Sequence, residues 1–279
     1  RDHHMSNKTF NYWWIELGGD QDSLHDTEQI RDDLLATAFG VWDHIKNHGD
    51  HGADNWELEW VGFLPGKRES RRYEGAYVLT ERDIQAEGRF DDIVAYGGWT
   101  LDDHDPAGFH ADGPPNVTSA TPTPYGIPYR VLYSKKIENL YFAGRNISAT
   151  HVAQSMGQAV GMAAALAHKH GTTPDGVYRE HLDELQNALM YEDCYLPFRR
   201  RTISALTASA TLESADPDAQ DLEHLRSGYD RPIGDADNGS YLALHQPVTY
   251  RFPETTPLTE LRLVFDSDLN RYSVSGDPE

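Results

Sequence analysis

The sequence predicts an α/β chain followed by an all-β sandwich, and three observations carry that reading. First, the apolar stretch at 139–142 ends in Ala143-Gly144, and an alanine-rich helical pattern follows as far as Gly171. Second, Ile30, Leu34, Leu35, Ala38, Val41, Trp42 and Ile45 recur at the spacing of one helix face. Third, from about Arg199 short β-rich runs alternate with turn-rich loops and no long helix pattern intervenes.

The elements follow in order. Residues 26–47 read as an amphipathic helix with Thr27 as its cap. Residues 73–79, Tyr-Glu-Gly-Ala-Tyr-Val-Leu, read as a strand. Residues 111–124 read as an irregular connection, because Pro114, Pro115, Pro122 and Pro124 discourage regular structure. Residues 127–133 read as extended and 139–142 as a short buried strand. A long helix is expected to begin near Gly157, pass through Ala163–Ala167 and stop at Gly171, and a polar helix to cover 174–189. Strands at 202–207, 241–244, 248–252 and 261–265 would build the sandwich. The expected domains are 1–124, 125–192 and 193–279.

Bulk properties narrow the function classes. Hydrophobic residues at 38% place the chain among folded proteins. No run of about 18 apolar residues is present, so no membrane helix is expected. There is no signal-peptide pattern, and position 1 is Arg, so the expectation is a fragment of a longer protein. The formal charge of −21 argues against nucleic acid, which demands a basic face. It suits a salty habitat and equally a general solubility role. A single cysteine, Cys194, excludes an internal disulfide and a cysteine-rich zinc site. The compartment and the oligomeric state stay open.

The chemistry concentrates around Gly144, Arg145, Asn146 and His151, followed by Gly157, Gln158, Ala159 and Gly161. A strand ending in glycine lets backbone approach a ligand with no Cβ between them. A helix start near Gly157 would offer unpaired N–H groups and the positive end of a dipole. Strand–glycine–helix is common in α/β proteins, so the pattern alone leaves a purely structural role open. Lys67, Arg68, Arg71 and Arg72 form a positive island, with Arg68 and Arg71 the expected pair for an anionic substrate group and a salt-bridged cluster the alternative. His104 and His151 are candidates for proton transfer, though each also suits a structural hydrogen bond. His44 and His48 are four apart, but no Glu follows His44 in the zinc-protease manner, and no metal is expected.

The segment from Asn139 to Ala167 resembles the C-terminal flavin-binding signature of FAD-dependent oxidoreductases related to the glutathione-reductase-type flavoproteins. Blocks at 12–19, 63–72, 91–99 and 125–130 are similar to blocks of the same family, in the same order. The resemblance implies FAD as cofactor. It also implies an incomplete FAD-binding Rossmann-type domain (125–192) beside an α+β substrate-facing domain (1–124). Gly144, Arg145 and Asn146 would lie along the pyrophosphate and ribityl chain. Gly157, Gln158, Ala159 and Gly161 would lie against the ribityl and the ring. Hydride would pass from a small organic substrate to the flavin. Two departures stand out. No Gly-x-Gly-x-x-Gly follows a strand, so this chain alone is expected to be inactive and to hold FAD poorly; the link from His151 to Gly157 is also short. Residues 193–279 resemble a galactose-binding-like sandwich around 230–232 and 261–265, which makes a carbohydrate-related substrate, or a non-catalytic carbohydrate-binding protein, the alternative.

Overall fold

Ile93, Val94 and Ala95 form an apolar run with no polar face to offer water, and the rest of the core assembles on it. The computed structural model describes residues 15–49, 51–67, 71–114, 116–122, 124–147, 153–232 and 237–265. Along them come α1 (Thr27–Asn47), α2 (Glu81–Gln85), β1 (Ile93–Gly97), β2 (Leu101–His104), β3 (Asn116–Ser119), β4 (Tyr125–Pro128), α3 (Ala153–His170), α4 (Pro174–Glu180), α5 (Leu182–Tyr191), α6 (Ala205–Ser209), β5 (Thr211–Ser214) and β6 (Val248–Arg251).

Three antiparallel two-stranded ladders occur among the described residues: β1 with β4, β2 with β3, and β5 with β6. The β1–β4 pair packs against α3 and α5, and α4 closes the end of that layer. Met156, Ala159, Ala163 and Leu166 of α3 meet Ile93, Ile127, Leu185 and Leu189 in one core. Polar ties fix the layer. Arg130 donates through Nε and Nη2 to the two carboxylate oxygens of buried Asp92, at 2.9 and 3.0 Å. Buried Gln186 of α5 donates to the carbonyls of Asp91 and Ile93 and accepts from Arg199 Nη2.

Several expectations need correction. Helix α1 starts at Thr27, but Thr27 is not its cap: Asp26 takes that position without a side-chain bond, and Thr27 Oγ1 donates back to the Ser23 carbonyl at 2.6 Å. Residues 73–79 make a single bridge, Gly75 to Ser134, rather than a strand. Their partner stretch is bent into a 3-10 turn at Tyr129–Val131, where the Asp92 clamp holds Arg130. The proline-flanked stretch is not wholly irregular, because Asn116–Ser119 pairs with β2 in full register. Helix α3 begins at Ala153, a turn ahead of Gly157. The polar helix at 174–189 is two helices broken at His181.

Where two packed sheets were expected beyond residue 193, the described residues hold one two-stranded ladder, β5 with β6. Residues 202–207 contribute to a short helix, capped by Ser204 accepting from the Thr207 N–H. Residues 241–244 make a single bridge to Gln220, and 261–265 form no strand and leave Leu261, Leu263 and Phe265 exposed. Among the described residues no helix is long and apolar enough to cross a membrane.

Candidate functional site

A cleft of about 1080 Å³ opens between the chain at 15–19, the β2 strand, the 72–81 segment and the turn at Gly144–Ile147. Residue spacing explains its chemistry. On β2, positions 102 and 104 lie two apart and share one face, so Asp102 and His104 are neighbours. His104 Nε2 meets Asp102 Oδ2 at 3.1 Å, and its Nδ1 meets Glu16 Oε2 at 2.7 Å.

Gly108 brings Glu16 to this position. Its φ is +55°, and a Cβ there would collide with the Glu16 carbonyl oxygen, so only glycine lets the two backbones approach. The Phe109 N–H then donates to that carbonyl at 2.8 Å.

Burial alone would lower the His104 pKa, but the hydrogen bonds and charges of Glu16 and Asp102 outweigh it and hold the imidazole above its ordinary range. The imidazole thus sits between two carboxylates that favour its protonated form, with the His104 side chain about one-fifth exposed to the cleft.

Across the cleft, the Asn146 side chain pairs with the Tyr73 backbone: Oδ1 accepts from its N–H at 2.7 Å, and Nδ2 donates to its carbonyl at 3.3 Å. The Tyr73 ring stacks on Phe142 with centroids 5.3 Å apart. These contacts tie the 144–147 turn to the cleft wall, and Arg145 and Asn146 both line the space. Lys67 and Arg72 line it too, with Lys67 Nζ donating to the Ser23 carbonyl at 2.7 Å.

The expected site residues therefore divide. His104, Arg145 and Asn146 share the cleft, and Gly144 opens the same turn with φ at +72°. The turn packs on α3, where Gly157, Gln158 and Gly161 lie on the exposed face. Ala159, about 200° around the helix from Gly157 and Gly161, is fully buried in the core. Arg71 is exposed outside the cleft lining, while its neighbour Arg72 is part of it. Arg68 and His151 lie outside the described residues.

Glu16 and Asp102 were missed by sequence reasoning. Asp102 had a usable signal, the two-residue strand spacing to His104. Glu16 had none, because 88 residues separate it from His104.

A flat cofactor needs backbone it can approach without side chains in between. Among the described residues, no atom lies within 4 Å of a Cβ built on Gly144, Gly157 or Gly161, so the turn and the outer face of α3 offer such a surface. These residues fit the ring-side half of FAD. A search of curated proteins and a search of solved structures found no match. The family model described as FAD dependent oxidoreductase matches residues 1–189, more than half of the chain, and implies a Rossmann-like α/β fold. The chain belongs to the FAD dependent oxidoreductase family, and FAD is its cofactor.

Proposed function

We propose that the chain serves the oxidation of a small organic substrate held in the cleft beside the 144–147 turn, with hydride passing to FAD. The observation that carries this reading is that His104, clamped by Glu16 and Asp102, shares one cleft with Arg145 and Asn146. When bound, FAD supplies the two-electron redox chemistry, and the protein supplies position and electrostatics. Gly144, Arg145 and Asn146 would hold the pyrophosphate and ribityl part. Gly157, Gln158 and Gly161 would face the ring, and Ala159 secures the helix beneath them from the core side.

His104 is the group suited to move the proton. Substrate oxidation releases a proton as well as a hydride. The two carboxylates make the imidazole a stronger base, and above its raised pKa the neutral ring, once its longer bond to Asp102 opens, can accept that proton at Nε2. Arg72 and Arg145 supply positive charge in a chain of net charge −21, which favours a substrate with a carboxylate or another anionic group.

The sequence carries no Gly-x-Gly-x-x-Gly after a strand, so the adenosine side lacks its usual cradle and this chain should bind FAD weakly. The test is a titration with FAD, followed by quenching of flavin fluorescence. Weak saturable binding is expected, reduced about tenfold or more by Arg145→Ala and by Gly161→Leu. Equal binding by the native chain and both variants would remove the site from consideration.

A further inference from the structure

At the far end of α3 three donors converge that play no part in the cleft. We propose that His170, His181 and Glu184 form a zinc-class cation site that staples the end of α3 to the α4–α5 junction. One ligand atom from each lies within 4.8 Å of the others. His170 Nε2 stands 2.8 Å from Glu184 Oε2, and His181 Nδ1 stands 3.8 Å from the same oxygen. The two imidazoles stack nearly parallel, centroids 3.8 Å apart and planes 11° from each other. A four-coordinate zinc with bonds of roughly 2.0–2.2 Å needs donors about 3.3 Å apart and in the plane of each ring, so binding would open the stack by rotating the imidazoles until both ring planes meet at the ion.

The backbone under each ligand is fixed by local chemistry. His170 is the last residue of α3. After it, Gly171 takes φ +62°, the Thr172 N–H donates to the Ala167 carbonyl, and the Gly171 N–H donates to that of His168. Those two bonds make a Schellman end, which fixes the last turn. His181 is the shared boundary residue of α4 and α5: its N–H donates to Val177, and its carbonyl accepts from Leu185. Glu184 lies in the first turn of α5, three residues on, so it projects beside His181. Beneath them Leu166, Val177 and Leu185 are buried in the core, so the three donors stand on a rigid corner.

The donor set also selects the cation. Two imidazole nitrogens and one carboxylate suit zinc and its neighbours, whereas magnesium and calcium prefer oxygen alone. Lys169 is the obvious competitor, with Nζ 2.7 Å from Glu184 Oε1. It occupies the oxygen turned away from the rings, and there it orients the carboxylate as an outer partner of a metal ligand would. The C-terminal end of an 18-residue helix adds partial negative charge that favours a cation. The site is separate from the cleft. His170 lies 13 residues beyond Gly157, about 20 Å along the helix axis, so its role is structural.

Zinc binding to the full chain, measured by calorimetry and by metal content after dialysis, tests the proposal. One zinc per chain is expected, with affinity at least tenfold lower in His170→Ala, His181→Ala and Glu184→Gln, and unchanged in His44→Ala/His51→Ala, which removes the other close histidine pair, Nε2 to Nε2 at 3.1 Å. Cobalt in place of zinc should give the visible bands of a four-coordinate ion, absent in each ligand variant; circular dichroism confirms that the variants fold. Magnesium should not compete. No zinc uptake, or affinity within twofold of native in any one ligand variant, overturns the assignment. So does loss of binding on removing His44 and His51 alone.

Discussion

At the scale of single residues, the cleft turns on His104. Its folded pKa is raised by Glu16 and Asp102, so the imidazolium contributes stability below its unfolded pKa of roughly 6.5, and that contribution disappears as pH rises through the folded value. An NMR titration should therefore place the His104 midpoint above that reference. Asp102→Asn removes one carboxylate and should move the midpoint down; a midpoint that stays or rises would show that the charges do not govern it. Gly108 gives a second residue-scale prediction. Gly108→Ala strains a positive φ and drives a Cβ into the Glu16 carbonyl, so it should cost about 1–3 kcal/mol in urea unfolding. It should also lower the His104 midpoint by moving Glu16 away. A variant as stable as the native chain would mean that the backbone crossing at Gly108 is not tight.

At the scale of elements, α3 is a helix with two jobs on two faces. Met156, Ala159 and Ala163 face the core, while Gly157 and Gly161 face outward with open space beside them. An exposed glycine inside a helix is about 0.5–1 kcal/mol less favourable than alanine. Gly161→Ala should therefore raise the stability of the chain without FAD by about that amount, whereas Gly161→Leu should chiefly damage FAD binding. Destabilisation by Gly161→Ala would show that this face is packed rather than open. The sequence announced α3 through its alanine run and its stop at Gly171, yet misplaced its start, because the residue just ahead of Ala153 in the sequence is a valine, which offers no capping side chain. The β1 strand escaped notice for a related reason. Three apolar residues buried on both faces show no alternation, and periodicity cannot separate such a run from a helix.

At the scale of the whole molecule, long-range assembly was the illegible part. The ordered blocks along residues 12–167 pointed to the family, because a family resemblance survives without knowledge of contacts. The Glu16–His104 pair depends on how distant segments fold together, which no local spacing reports. In the His170–His181–Glu184 corner the spacing of His181 and Glu184 is local, but the turn that brings His170 to them is not marked by any period. The sandwich expectation had the same weakness: β-rich runs were read as paired strands, although pairing is decided by partners far along the chain.

The net charge is a whole-molecule property that can be read directly, and it carries the last prediction. With 45 acidic against 24 basic residues, folding concentrates a surplus of 21 negative charges and the compact state repels itself. Salt acts in two directions, screening this repulsion and also weakening the surface ion pairs. Many of those pairs are local, such as Arg179 with Asp175, Arg226 with Glu223 and Arg89 with Glu87, so they persist in part in the unfolded chain and their loss costs little. Relief of repulsion should therefore win as the screening length shrinks from about 10 Å at 0.1 M to about 3 Å at 1 M. The melting temperature should rise across that range of sodium chloride, and a flat or falling curve would mean that the acidic excess is already neutralised within the fold.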